Sequence, residues 1–177
     1  MSRINAHQSA RSESVDWLTP PEWIQKLGPF DLDPCCPYSM PWRTAARMLT
    51  RDEDGLATNW HGRIWCNPPY GPPKIIEPWL RRLADHGNGI GLIFARTETR
   101  AWFKYIWPRA SGALFVEGRP HFYNIAGERA KGNSGGPVAL LAYGAANLEA
   151  LAASGIRGKL VVLNSSSLTS IAPQTDR

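Results

Sequence analysis

Arg63-Ile64-Trp65-Cys66-Asn67-Pro68-Pro69-Tyr70 is the stretch that decides how this chain folds. Its first half is a short apolar run of strand length. Its second half cannot continue that strand, because two successive prolines lack the N–H donors a β-ladder needs. A strand that ends at Asn-Pro-Pro-Tyr places this turn where open α/β sheets hold their ligands, just past a carboxyl end. Working outward, the same rhythm recurs. Phe30-Asp31-Leu32-Asp33 reads as a strand closed by Pro34, and residues 46–49 as another. Residues 89–95 form the most apolar run, suited to burial on both faces at the centre of a sheet. Further strands are expected at residues 113–116, 138–143 and 159–163. Thr19-Pro20-Pro21-Glu22 opens a helix, with Thr19 as cap and Glu22 completing a capping box, and Gly28 ends it. Trp79, Leu80 and Leu83 mark the inner face of a helix starting near Pro78. Residues 99–107 read as helical up to Pro108, and residues 145–153 as a small helix. Short apolar runs alternating with helical segments predict an α/β layer fold.

Composition narrows the class. At 177 residues the chain suits one domain with a sizeable core. Its 43% hydrophobic and 20% charged residues fit a globular protein and exclude a disordered one. No apolar run reaches membrane-spanning length, because Arg, Lys, Gly or Pro interrupts each. Residues 1–14 are polar, carry Arg3 and Arg11, and lack the apolar core of a secretory signal, so a cytoplasmic location is expected. With residues 164–177 they read as flexible tails, leaving 15–163 as the domain. Cys35, Cys36 and Cys66 lack metal-ligand spacing and read as reduced, buried thiols, so no metal is expected. A net charge of +5 is compatible with a polyanionic partner, since phosphate contacts dominate nucleic-acid affinity.

Asn67-Pro68-Pro69-Tyr70 has the parts needed to methylate a planar amine. The nitrogen of such an amine is a poor nucleophile, because its lone pair is delocalised into the ring. An Asn side-chain oxygen and the Pro68 carbonyl can accept its two N–H hydrogens and hold it facing a sulfonium methyl. Catalysis is then mostly positioning and electrostatics. Pro68 and Pro69 fix φ twice, which stiffens the loop that aims the carbonyl. Tyr70 offers a flat face on which an extruded base can stack. A plain proline-rich turn after a strand would look the same in isolation, so the neighbours matter. Asp31-Leu32-Asp33-Pro34 stands where the first strand of a methyltransferase meets its cofactor, and Thr19-Pro20 precedes it as a cofactor-tail contact would. Pro34-Cys35 would suit cytosine-C5 methylation by a thiolate, a reading that leaves Asn67 to Tyr70 without a role.

With these residues in view, the chain resembles the phage-type DNA N6-adenine methyltransferase (Dam) family. The resemblance is carried by Asp16-Trp17-Leu18-Thr19-Pro20, Phe30-Asp31-Leu32-Asp33-Pro34, Asp54-Gly55-Leu56 with Trp60, and the run from Gly62 to Tyr70. It continues through Ala95-Arg96-Thr97 and Gly118-Arg119 to Val138-Ala139-Leu140. It implies a trimmed Rossmann-like class I methyltransferase sheet with helices on both faces. It also implies S-adenosyl-L-methionine as donor and adenine N6 in double-stranded DNA as acceptor, in the cytoplasm of a bacterial host. Carried over by position, Asp33 and Pro34 would help hold the cofactor, with Asp54 near its adenosine half and Thr19 and Pro20 near its methionine tail. Asn67, Pro68, Pro69 and Tyr70 would hold the target amine. Arg96 and Arg119 join Arg129 and Lys131 as candidate DNA contacts.

The chain departs from that pattern in two places. No Gly-x-Gly loop follows the first strand; Pro34-Cys35-Cys36-Pro37 stands there instead, stiff but short of amide donors. Only 29 residues separate Asp33 from Arg63, too few for three helices and two strands, so the sheet should be trimmed on the cofactor side. No separate recognition domain is expected within these residues, and any sequence preference is expected from loops 39–50, 71–77 and 123–137. The last holds Arg129 and Lys131, which reach phosphates if it emerges beside Asn67, and is otherwise an ordinary solvated hairpin. Cytosine N4, RNA adenine and a protein glutamine amide present the same NH2 and stay open as acceptors. An inactive nucleic-acid-binding module on this scaffold is the alternative from another class. A monomer or weak dimer is expected.

Overall fold

The computed structural model describes residues 17–164. The two expected tails lie outside the described residues except for Asn164, whose side-chain amide donates to the carbonyls of Trp107 and Ala110. In chain order the elements are α1 (Pro21–Leu27), β1 (Leu32–Asp33), β2 (Arg47–Met48), a 3-10 turn (Arg51–Glu53) and β3 (Ile64–Cys66). There follow α2 (Pro73–His86), β4 (Gly89–Phe94), a π-helical turn (Trp102–Ile106), β5 (Gly112–Val116), β6 (Val138–Tyr143), α3 (Ala145–Ala153) and β7 (Gly158–Val162). The strands form one mixed sheet in the order β2-β1-β3-β4-β6-β5-β7.

Strands β2, β1, β3 and β4 are parallel, while β6 runs antiparallel to both β4 and β5. Strand β5 therefore points the same way as β3 and β4, and the segments following β1 to β5 all leave from one edge of the sheet. Alternation of side chains sends Ile64, Cys66, Ala139 and Leu141 to one face, where Leu80 and Leu83 of α2 and Trp102 of the π-turn cover them. Trp65, Leu140 and Ala142 point to the other face, covered by Ile24 and Leu27 of α1 and Leu148 and Leu151 of α3. Helices thus cover both faces, and β4, buried over nearly its whole length, lies at the centre.

Several expectations are corrected. Helix α2 begins at Pro73 rather than near Pro78: Pro72 and Pro73 sit at the N-cap and first position, where a missing N–H breaks no bond. Pro78 lies inside the helix, which continues because Leu80, Leu83 and Ala84 are buried beyond it. Thr19 does not cap α1; Pro20 is the N-cap and no side chain bonds there. Thr19 is instead turned inward, 2% exposed, because its neighbour Leu18 is paired with Tyr123. The segment before Pro108 is a π-turn, with the Trp107 amide donating to the Trp102 carbonyl at 2.9 Å. That wider turn brings Trp102 and Trp107 together, ring centroids 4.9 Å apart. Between β1 and β3 lie only the two-residue β2 and the 3-10 turn, with no α-helix.

Arg63 ties the layers together from the start of β3. Its main-chain N–H donates to Asp31 Oδ2 at 2.6 Å, and its carbonyl accepts the Asp31 amide at 2.8 Å. Its guanidinium lies 4.4 Å over the Phe30 ring and donates to the carbonyls of Leu27 and Pro29 and to Asn147 Oδ1. One side chain thus joins the end of α1, the approach to β1 and helix α3. Arg63→Ala should cost about 2–4 kcal/mol of stability, because it leaves buried acceptors without donors. Urea unfolding measures this, and a loss below about 0.5 kcal/mol would show the junction to be dispensable.

Candidate active site

The edge where β1 to β5 end carries a hollow of 170 Å³, smaller than the roughly 300–1,000 Å³ typical of small-molecule clefts. Thr19, Asp33, Pro34 and Asp54 line one part of it, and Asn67, Pro68, Pro69 and Tyr70 another. Of the residues expected to hold cofactor or amine, Pro20 alone does not line it; Pro20 is buried at the start of α1.

Asp33 ends β1 and is 4% exposed. Its Oδ2 accepts from the Thr44 hydroxyl at 2.5 Å and its Oδ1 from the Cys35 amide at 3.1 Å. Burial dominates over these bonds and pushes its carboxyl up to about 6. Thr19 Oγ1, buried in the same wall, has no hydrogen-bond partner.

Asp54 and Gly55 line the far side of the hollow, and the Asp-Gly-Leu to Trp spacing has a local cause. Asp54 adopts the left-handed conformation at φ 42°, and its Oδ1 accepts from the amides of Leu56 and Ala57. Gly55 lies hard against Pro34: a Cβ there would stand 1.8 Å from the Pro34 carbonyl oxygen. The Trp60 indole then donates to the Gly55 carbonyl at 2.7 Å, and its ring stacks on Trp79. Asp54 therefore shapes the turn with one oxygen while its residue faces the hollow.

Asn67 follows β3 directly. Its Nδ2 donates to the Trp17 carbonyl at 3.0 Å, and its Oδ1 is buried with no partner. Tyr70 donates its hydroxyl to the Leu92 carbonyl at 3.2 Å, and its ring centroid lies 4.7 Å from that of Phe94. Burial raises the phenol, so it stays protonated. Burial and the Cys66 sulfur 3.9 Å away likewise push the Cys35 thiol well up, which removes the thiolate that cytosine-C5 chemistry requires.

On the other side of Tyr70 a second hollow opens, lined by Ile76, Phe94, Arg96, Arg100 and Trp102 among others. Arg96 stands on its rim, with its guanidinium 5.6 Å over the Phe94 ring. Arg119, Arg129 and Lys131 are exposed on the segment between β5 and β6 and line neither hollow. That segment emerges on the active-site edge and folds as a hairpin, since Asn124 Oδ1 accepts the amides of Ala126 and Glu128. Its tip packs onto Pro41 and Trp42 at Gly127. Loop 71–77 is mostly the first turn of α2. Among the described residues no group of three or more His, Cys, Asp or Glu could hold a metal ion, and no helix is long and apolar enough to cross a membrane.

Sequence reasoning missed two partners in the site. Thr44 carries no motif and finds Asp33 only through the path of the chain after β1. Trp17 lies in a quoted stretch, but the atom that matters is its main-chain carbonyl, which residue identity does not advertise.

Asp33 gives the protein a specific pH dependence. Its folded value near 6 exceeds the ordinary 3.8, so between those values the folded state holds an extra proton and gains stability as pH falls. Above pH 6 the buried carboxylate opposes folding by on the order of 3 kcal/mol. Asp33→Asn should therefore be the more stable protein at pH 8, and the gap should close towards pH 4. Thermal melts across that range test this, and a gap independent of pH would show that Asp33 titrates normally.

No curated protein and no solved structure matches the chain. A comparison with protein families does find a match, to DNA N-6-adenine-methyltransferase (Dam), over residues 8–153. The match takes in the strand ends, the Asp54 to Trp60 segment and the Asn67 turn. The chain belongs to the Dam family of DNA N-6-adenine-methyltransferases.

Proposed function

We propose that this protein transfers a methyl group from S-adenosyl-L-methionine to adenine N6 in double-stranded DNA. The observation that carries the reading is the amide of Asn67. Its nitrogen is committed to Trp17, while its oxygen is buried and unpartnered in the same hollow as Asp33 and Thr19. An unsatisfied buried acceptor costs about 1–3 kcal/mol, and an exocyclic amine supplies the hydrogen it lacks.

The residues present also fit the cofactor. Thr19 Oγ1 offers an unused polar atom, and Asp33, buried with a carboxyl near 6, gains from pairing with a cationic group. Asp33, Pro34, Thr19 and Asp54 would hold it, with Pro20 buried behind Thr19 rather than in contact. S-adenosyl-L-methionine supplies an electrophilic methyl on a sulfonium centre. Asn67 Oδ1 and the Pro68 carbonyl accept the two amine hydrogens, which fixes the nitrogen and leaves its lone pair facing the hollow. As positive charge develops on that nitrogen, both oxygens strengthen their hold, and one proton then leaves to solvent. Tyr70 supports the base. Arg96, Arg119, Arg129 and Lys131, on the same edge, suit phosphate contact.

The scaffold on this reading is Rossmann-like and class I, spans residues 15–163 and acts as a monomer or weak dimer in the cytoplasm of a bacterial host. Its mixed seven-stranded sheet with helices on both faces supports that assignment. Mass spectrometry of nucleosides from DNA incubated with enzyme and cofactor should detect N6-methyladenine. N4-methylcytosine or no product would overturn the substrate. Asn67→Ala should lower transfer at least about 100-fold while cofactor affinity changes by less than about threefold. Equal activity in the variant would sink the role given to Asn67.

A further inference from the structure

We infer that the main-chain carbonyl of Trp17 is a positioning group that makes an amide, and not a carboxylate, the required side chain at position 67. The activity arm of this inference rests on the methyltransferase reading; its geometric arm does not. An Asn side chain can take two orientations that exchange its oxygen and nitrogen, and the surrounding hydrogen bonds decide between them. Here the neighbour 3.0 Å away is a carbonyl oxygen, which accepts and cannot donate. The nitrogen must therefore face Trp17, and the oxygen of this hollow-lining residue is left buried without a partner.

The Trp17 carbonyl is itself held. The next residue, Leu18, is 1% exposed and exchanges two main-chain bonds with Tyr123: the Leu18 amide donates at 2.9 Å, and the Tyr123 amide donates back at 3.0 Å. Tyr123 is fixed in turn by an edge-on contact with Trp42, ring centroids 5.3 Å apart, and by a bridge to Arg129. The hairpin that follows β5 thus clasps the segment that aims Asn67.

A carboxylate at this position would have no hydrogen to give. In ionised form it would hold one oxygen against the Trp17 oxygen, in a part-buried wall. Protonation relieves the conflict: the new O–H donates to Trp17, and the other oxygen accepts from the amine as Oδ1 does now.

Asn67→Asp in the full chain tests this. By carbon NMR the introduced carboxyl should titrate well above the ordinary carboxylate value near 4. Melting temperatures of wild type and variant should differ most at pH 8 and converge as pH falls. With cofactor and DNA saturating, kcat of the variant should be at least about tenfold below wild type at pH 8. The deficit should shrink with each lower pH step, while KM for DNA moves less. An ordinary carboxyl titration with kcat within about twofold of wild type at pH 8 would overturn the inference. If wild type transfers no methyl, the functional reading fails, and the titration and melting arms still decide the geometry. Should the variant not fold, nitrogen NMR of wild type replaces it. One Asn67 amide hydrogen protected from exchange supports the Trp17 bond, and two freely exchanging hydrogens overturn it.

Discussion

The pairing of β1 with β3 is the joint on which the rest of the site depends. It comprises a single register pair, Leu32 with Ile64, too little to fix two strands by ladder bonds alone. Asp31 and Arg63 supply the rest through reciprocal bonds just before that pair, and the Arg63 guanidinium then anchors the joint to α1 and α3. Because side chains alternate along a strand, a slip of one residue would exchange Ile64 with Trp65 and turn Asp33 out of the hollow. The correct register sets Asp33, at the end of one strand, beside Asn67, just past the end of the other.

Much of this was legible in the sequence. Two prolines after an apolar run announced the end of β3, and the alternating or continuous apolar runs located all seven strands to within a residue or two. The direction of β5, which brings its following loop to the active-site edge, could be stated only as a condition, because strand order is a property of the whole sheet. The start of α2 and the role of Thr19 were misread for a related reason. Local rules favour Pro at a helix start and Thr at a cap, but the burial of Leu80 and Leu83 carries the helix through Pro78. The pairing of Leu18 with Tyr123, more than 100 residues away, turns Thr19 inward. The contact between Gly55 and Pro34 was visible only as a family spacing, and its cause lies in the collision any side chain at 55 would make.

The site concentrates the features that do least for stability. Asp33 is buried as a carboxylate, and Thr19 Oγ1 and Asn67 Oδ1 are buried without partners, all within one hollow. The two cores on either side of the sheet are built mainly of apolar side chains. Other buried polar atoms without partners, such as Arg63 Nη2 and Trp102 Nε1, lie scattered through the fold, so it is the gathering of these three groups in one hollow that supports the proposed site.

The hairpin between β5 and β6 shows how little of this small protein is modular. Its exposed surface carries Arg119, Arg129 and Lys131, the residues proposed to contact DNA. Its inner surface holds Leu18 and, through Trp42, the stretch leading to Thr44 and Asp33. On the proposed function, a transplant of this hairpin would disturb the placement of Asn67 along with any DNA contacts it makes. On the same proposal, drift in DNA contact and drift in the placement of Asn67 would then be written in the same hairpin.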